Sequence, residues 1–409
     1  MLTYSEALDL ILARVPSSVV HNVGLCESLG HVLAHPILAD MNMPPFDKSF
    51  MDGYAVQSQD GNQAPIELQI VGTSQAGKMT DRLLATGEAI RIMTGAPLPQ
   101  GADAVQMVEK TELLPGSRIR LLESVKAGQH VARKASEVSE GVTVLEAGRA
   151  ITPAEIAVLA TFGCNRVNVF KKPSVRILST GDELVGVDCR PTLGQIRNSN
   201  SHMLAAQCRA LGLTVQQEAP LADDPESIRQ AIRSGKEFDL IIFSGGVSMG
   251  EYDFVHEVLR AEGIDIAFHK AAVKPGKPLI VGTAGSRLFF GLPGNPVSSF
   301  VTFLVFAKPA IEKWMGHRHP QPFLLAAELR KSVQQKPGRL FFKPAVTVST
   351  PLGFQASPLE TQGSADITAF SKANSLILVE ASVSRLDAGT RVQVLPLGDF
   401  PEIPCLGFW

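Results

Sequence analysis

Apolar residues recur along this chain with different periods, and each period marks a different kind of element. Leu240-Ile241-Ile242-Phe243 is a continuous apolar run, as expected of a strand buried on both faces of a parallel sheet. Ser244-Gly245-Gly246 breaks it, the carboxylates Glu251 and Asp253 follow, and a helical pattern runs from Phe254 to Arg260 with Asp253 at or near its N-cap. Arg287-Leu288-Phe289-Phe290 is a second run of this kind. It leads through Gly291-Leu292-Pro293-Gly294-Asn295-Pro296 into a long apolar helix from Val297 to about Trp314. Asn295 as N-cap and Pro296 at the first helical position would leave backbone N–H groups free and aim the helix dipole at the loop.

Elsewhere the pattern divides the chain into regions. Thr3 and Glu6 form a capping-box pattern ahead of Leu8, Ile11, Leu12 and Val15, so the chain opens on a helix and carries no signal-peptide pattern. Short extended pieces follow to about residue 44. Strict alternation at Ile66 to Ile70, Ala89 to Met93 and Ala104 to Val108 predicts a small β domain over residues 46–139. Thr152-Pro153-Ala154-Glu155 combines a capping box with Pro at the first helical position, and Phe162-Gly163 stops that helix. From Val175 strands and helices alternate: Val175 to Ser179, a helix from Asn198 to Leu211, a strand at Leu213 to Val215, and a helix capped by Asp224 and ending at Ser234-Gly235. The expectation is a doubly wound α/β domain. After about residue 320 the helical periods vanish, and Leu340 to Lys343, Val346 to Val348 and Arg391 to Val394 predict a β barrel or sandwich.

Composition narrows the function. With 409 residues, two to four domains are expected. A formal net charge of −2 argues against a nucleic-acid binder, which needs a basic face. The longest apolar run, Phe300 to Ala307, falls far short of a membrane span. Cys26, Cys164, Cys189, Cys208 and Cys405 are scattered, with no C-x-x-C pair, and read as reduced core thiols of a cytoplasmic protein.

The candidate chemistry gathers at strand ends. Ser179-Thr180-Gly181-Asp182-Glu183-Leu184 places two carboxylates on a glycine turn, able to hold a metal ion or a ribose hydroxyl, or serving only to solvate the loop. Asp223-Asp224-Pro225 reads chiefly as a helix cap. Lys274-Pro275-Gly276-Lys277-Pro278 sets two cations on a proline-framed turn suited to an anion. In an open α/β sheet such turns line the carboxyl edge, where ligands bind. No Walker lysine, zinc spacing or G-x-G-x-x-G is present.

Taken together, Met51-Asp52-Gly53-Tyr54-Ala55, Met93-Thr94-Gly95-Ala96-Pro97, the Ser179 to Leu184 turn, Ser244-Gly245-Gly246-Val247-Ser248, the Lys274 to Pro278 turn and the Gly291 to Pro296 turn resemble, in content and order, the MoeA family of molybdopterin molybdenumtransferases, which includes the E domain of gephyrin. The resemblance spans nearly the whole chain. It implies a multidomain α/β plus β protein: a discontinuous N-terminal unit (residues 1–45 with 140–172), an inserted β domain (46–139), a molybdopterin-binding α/β domain (173–321) and a C-terminal β barrel (322–409). It also implies a cytoplasmic homodimer that inserts molybdate into adenylylated molybdopterin and releases AMP with the help of Mg2+. An upstream adenylyltransferase and downstream molybdoenzymes or carriers are the implied partners, with neither nucleic acid nor membrane.

Residue by residue, the resemblance assigns Asp182, Glu183 and Asp253 to the nucleotide-phosphate and metal side, with Glu137 as a further metal ligand. Lys274 and Lys277 match lysines near the pterin phosphate and oxyanion, and Arg339 and Ser364 match positions that help hold molybdate. Ser179, Gly181, Ser244, Gly245, Gly246, Ser248, Pro293, Asn295 and Pro296 are expected to line the cofactor site, while Asp52 and Thr94 complete it from the other subunit. One departure stands out: Arg133-Lys134-Ala135-Ser136-Glu137 replaces the family's Arg-x-Gly-Glu-Asp, and alanine at a position needing positive φ costs about 1 kcal/mol, so this loop is expected to be rearranged. That change motivates two other readings, a molybdopterin-binding scaffold without turnover and, from the shared Ser-Gly-Gly and Pro-Gly-Asn-Pro turns, a molybdopterin adenylyltransferase.

Overall fold

The computed structural model describes residues 1–78, 80–247, 254–398 and 400. At its centre lies a six-stranded sheet in the order Val215–Gln217, Val175–Ser179, Leu240–Ser244, Arg287–Leu292, Pro278–Ala284, Asp265–Lys270. Five of these strands run in one direction, and Pro278–Ala284 alone runs against them. Every residue of Val175–Ser179 and Leu240–Ser244 is buried, which is why these strands read as unbroken apolar runs. Because Pro278–Ala284 runs against the parallel strands, the lysine turn at its start reaches the same edge as their carboxyl ends.

Helices cover both faces of this sheet, and most begin where the caps are written. Asp224 accepts from the Ser227 N–H at 2.8 Å and Pro225 opens the helix Pro225–Ser234. Asn198 caps Ser199–Ala210. The strand expected from Leu213 starts only at Val215. Leu213 donates its N–H to the Cys208 carbonyl and Gly212 donates to Arg209, a Schellman pair that spends Leu213 on the helix end. Phe254 occupies the N-cap of Val255–Ala261 without a side-chain bond, and Asp253, expected there, lies outside the described residues. The long apolar helix is three pieces: Pro296–Thr302, a π-helical turn Phe303–Ala307, and Lys308–Trp314. Pro309 cannot donate to the Val305 carbonyl, and Thr302 turns its hydroxyl back on Ser298 and Ser299 carbonyls, so a regular α-helix is not maintained.

The C-terminal region closes into a barrel of five strands, Leu325–Leu329, Leu340–Thr350, Gly353–Pro358, Ser375–Val379 and Arg391–Pro396. Leu340–Thr350 is one continuous strand where two were expected. It pairs with Ser375–Val379 over its first half and with Gly353–Pro358 over its second, changing partner at Ala345 beside Pro344, and so closes the barrel. Helix has not vanished here: Asp366 caps the single turn Ile367–Phe370, whose Phe370 ring lies 5.0 Å from Phe300.

A second six-stranded sheet, built from residues between Gly53 and Leu121, is inserted into the N-terminal unit. The chain enters and leaves it side by side: Ile37–Leu38 pairs with Thr143–Leu145, and Lys48–Ser49 with Val131–Ala132. Val20–Gly24 pairs with Arg166–Phe170, bringing the two ends of the unit together. The first helix, Tyr4–Arg14, leaves this unit and packs into the central core, with Tyr4 5.4 Å from Phe306 and 5.7 Å from Phe342. The four described cysteines are free thiols, as expected; Cys208 is buried and Cys164 packs half-buried against the N-terminal core, but Cys26 and Cys189 are exposed, not core, and Cys405 lies outside the described residues. Among the described residues no helix is long and apolar enough to cross a membrane.

The capping box at Thr152 gives a measurable pH dependence. Glu155 is 4% exposed and takes bonds from the Thr152 hydroxyl, the Thr152 N–H (2.9 Å) and Arg149 (2.7 Å). The Thr152 hydroxyl foremost holds its carboxyl down to about 2. A depressed carboxylate stabilises the fold fully above the usual glutamate range, and this contribution disappears as pH falls toward 2. Glu155→Gln is expected to lose about 2 kcal/mol at pH 7. The gap between its thermal midpoint and that of the unaltered chain should narrow steadily on acidification; a gap independent of pH would exclude the ionised cap.

Candidate functional site

The carboxyl edge of the central sheet is held together by bonds from turn to turn. Thr180 donates its N–H to the Ser244 carbonyl at 3.1 Å, Gly245 to Leu292 at 3.1 Å, and Gly181 to Leu221 at 3.2 Å. Gly245 has φ +94°, and a Cβ there would lie 2.6 Å from the Thr180 carbonyl oxygen, so this turn can approach its neighbour only without a side chain. Asn200, nine-tenths buried on the first turn of its helix, ties the same turns from below through Nδ2, at 2.9 Å from Ser244 Oγ and 2.7 Å from the Gly294 carbonyl.

Between these turns and the barrel opens a cavity of roughly 1120 Å³. Gly181, Glu183, Asp223, Ser244, Gly245 and Gly246 line it on the sheet side, and Pro293, Asn295 and Pro296 at the start of the long helix. Lys274, Lys277, Arg339, Lys343 and Ser364 line it toward the barrel. The lysine turn belongs to both halves. Val273–Lys274 pairs in parallel with Leu340–Phe341 of the barrel strand, and Lys274 Nζ sits 4.3 Å from the centre of the Phe341 ring. Gly276 presses against Thr302, where a Cβ would come within 2.3 Å of its methyl. Burial, then the nearby Arg339 and Lys343 charges, push the Lys274 ammonium below the ordinary lysine range.

The helix start differs from the expected open N-terminus. Asn295 occupies the N-cap but makes no side-chain cap; its Nδ2 donates to Ser364 Oγ at 3.0 Å, and the Val297 N–H donates to the Ser364 carbonyl at 3.1 Å. Ser364 thus fastens the barrel to the helix, and the Val297 N–H is taken.

On the acidic side, Asp182 accepts the Asp223 N–H at 3.1 Å, and Asp223 is held above the ordinary carboxylate range by burial and then by the charges of Asp182 and Glu183. Asp224 caps while Asp223 faces the site, a distinction that the bare Asp-Asp pair does not make. Ser179 is 1% exposed and does not line the cavity. Ser248 and Asp253 lie outside the described residues. Among the described residues, no three His, Cys, Asp or Glu side chains gather closely enough to hold a metal alone.

Asp52, Thr94 and Glu137 lie in the β insertion, away from the cavity lining. The Thr94 N–H and hydroxyl both donate to Asp52, at 2.7 and 3.0 Å, and hold its carboxyl below the usual range. Glu137 is exposed, with Lys48 Nζ at 3.9 Å. In the turn before it, Ala135 takes φ +64°, the left-handed conformation that a glycine would take there, and its N–H donates to the Pro44 carbonyl while the Glu137 N–H donates to Met43. Those two cross-chain bonds hold alanine in the left-handed region. Asp223, Asn200, Phe341 and Lys343 are the site residues that sequence reasoning missed; Phe341 and Lys343 were legible only as alternating strand positions.

Three family models match in succession: the MoeA N-terminal region (domain I and II) over residues 2–163, a probable molybdopterin-binding domain over 176–313, and the MoeA C-terminal region (domain IV) over 326–397. The chain is 35% identical over 397 residues to a molybdopterin molybdenumtransferase of Staphylococcus aureus, covering 95% of this chain and 94% of that one. The enzyme of the same name from Staphylococcus epidermidis is 33% identical over 400 residues, covering 96% and 95%. The crystal structure of a molybdopterin biosynthesis moeA protein from Pyrococcus horikoshii OT3 superposes with a TM-score of 0.84 at 29% identity, over 97% of this chain and 100% of that one.

Proposed function

Because the chain belongs to the MoeA family, we infer that it is a molybdopterin molybdenumtransferase, an enzyme of molybdenum cofactor biosynthesis that inserts molybdenum into molybdopterin. The observation that carries the reading is one cavity with two chemistries, carboxylates on the sheet side and four cations toward the barrel.

The finer reading is that molybdate enters on the cationic side and that the molybdopterin is adenylylated, leaving as AMP is released. A tetrahedral dianion needs fixed cations and N–H or O–H donors around it. Lys274, Lys277 and Arg339 supply the charge, and Phe341 keeps Lys274 from turning away. Ser364, tied to Asn295, offers a hydroxyl beside them. Opposite, Glu183 and Asp223 line the cavity, with Asp182 outside the lining but bonded to the Asp223 N–H; two carboxylates suit Mg2+, which is commonly held by one or two of them together with substrate phosphate oxygens. The raised Asp223 fits such a use, since a divalent cation would relieve the repulsion that raises it. Bound there, Mg2+ would neutralise charge on the phosphoanhydride. The protein's own share is orientation: the strand-end turns present backbone groups to the substrate, and the barrel closes the cavity from above.

We place Asp52 and Thr94 at the same site in a homodimer, contributed by the second copy. The exposed Phe50, Met51 and Met93 flank that pair and give an apolar surface for such a contact. The positive φ at Ala135 favours turnover over a scaffold that lost it through a rearranged loop.

The test is to incubate the purified chain with adenylylated molybdopterin and molybdate, with Mg2+ or with chelator, and to follow AMP and finished cofactor. Both products rising together, only with molybdate and Mg2+, is the expected result. Bound pterin without AMP would turn the reading into a carrier.

A further inference from the structure

The acidic wall of the cavity carries one cation, Arg197, which is exposed and lines it together with Glu183 and Asp223. Its backbone is fixed against the acidic turn. The two-residue strand Ile196–Arg197 pairs in parallel with Leu184–Val185; the Ile196 N–H donates to the Glu183 carbonyl at 2.8 Å and the Asn198 N–H to the Val185 carbonyl at 2.9 Å. Its side chain is fixed at one edge, where Nε donates to the Cys189 carbonyl at 3.0 Å. The two terminal nitrogens form no ion pair among the described residues, although two carboxylates share the wall. Glu183 is folded back over its own turn instead: a Cβ on Gly181 would lie 2.6 Å from Glu183 Oε2. A guanidinium anchored through Nε leaves its outer N–H groups as a fork that matches two oxygens of one phosphate.

We propose that Arg197 is the phosphate anchor for the nucleotide half of the substrate, its fork taking the oxygens of the adenylyl phosphate. The proposal rests on the adenylylated substrate of the preceding reading. Charge and reach both favour it. A phosphoanhydride diester carries two negative charges; a divalent cation between Glu183 and Asp223 is balanced by those carboxylates, and the lysines and Arg339 meet molybdate on the barrel side, so the anhydride draws its further counter-charge from Arg197. The sulfur pair that receives molybdenum must reach the cationic wall, and the pterin's own phosphate follows it closely along the molecule. The adenylyl phosphate is the farther of the two, and it is the one that arrives at the opposite, solvent-open wall where Arg197 stands. Molybdate, held across the cavity, gains nothing from this residue.

Binding of AMP, adenosine, molybdate and adenylylated molybdopterin is measured by calorimetry with Mg2+ present, on the full-length chain and on two variants. Arg197→Ala is expected to weaken AMP and adenylylated molybdopterin roughly tenfold to a hundredfold and to leave adenosine and molybdate unchanged. Arg197→Lys keeps the charge but loses both the fork and the bond to Cys189; it is expected to recover part of the lost AMP affinity. If stitching the Cys189 loop were the residue's whole work, lysine would do no better than alanine and adenosine would weaken along with AMP. Either of those results overturns the proposal, as does an Arg197→Ala chain that binds AMP normally or an unaltered chain that binds AMP no tighter than adenosine. Should Arg197→Ala fail to fold, the AMP and adenosine affinities of Arg197→Lys against the unaltered chain still decide. An unaltered chain that binds no adenylylated molybdopterin refutes the functional reading itself, before any variant is compared.

Discussion

Lys274→Met is expected to lower kcat/KM for molybdenum insertion by two to three orders of magnitude, the usual consequence of removing one preorganised charge from a site that stabilises an oxyanion. Among the lining cations Lys274 is the one seated over an aromatic ring. Its ammonium is held over Phe341, on a turn that the barrel strand fixes, with the charges of Arg339 and Lys343 nearby. Burial of the ammonium, and after it the repulsion from those charges, gives the prediction its sign on stability. A lysine pushed below its ordinary range makes the unfolded chain the better proton binder, so folding gains as pH rises between the folded and unfolded values. Removing the charge should therefore leave the thermal midpoint unchanged or slightly higher while activity collapses. Kinetics and melting on one preparation check both; a variant that loses midpoint together with activity would make Lys274 a packing residue.

Gly245→Ala is expected to cost about 2–4 kcal/mol in stability and at least a hundredfold in activity. Two penalties add there. The backbone stands at φ +94°, where an L side chain is strained, and the new methyl would lie 2.6 Å from the Thr180 carbonyl. Relief requires the Ser244 turn to move away from the Ser179 to Leu184 turn, which shifts one cavity wall against the other. Circular dichroism melts and AMP release measure the two effects. Normal turnover in the alanine variant would show that the wall spacing does not matter.

What the sequence made legible follows from how local each determinant is. Leu240 to Phe243 reads as a strand because burial on both faces removes every polar residue from it. Thr152, Pro153 and Glu155 announce a helix start because the capping bonds span three residues. The two lysines of the 274–278 turn were visible for the same reason. Asn295 was read as a cap from its place before Pro296, but its side chain is claimed by Ser364, 69 positions away, which no local pattern encodes. The π-helical turn answers to Pro309 and Thr302 jointly, and periodicity alone passes over it. Asp223 and Asp224 are equivalent on paper; only the fold points one at its own helix and the other at Asp182. Ala135 shows the converse, since cross-chain bonds keep a turn that residue preference alone would abandon.

The lysine turn has a consequence for the order of assembly. Ala271, three positions before Lys274, forms a bridge with Leu2, and Val273–Lys274 takes its sheet partner from Leu340–Phe341. The principal cation of the cavity is thus positioned by the first residues of the chain and by a strand made near its end. During synthesis the Lys274 turn must wait for the later strand, and no fragment ending before residue 341 can hold Lys274 in place. Oxyanion capture is consequently a late property of the nascent chain, confined to molecules whose C-terminal barrel has begun to form.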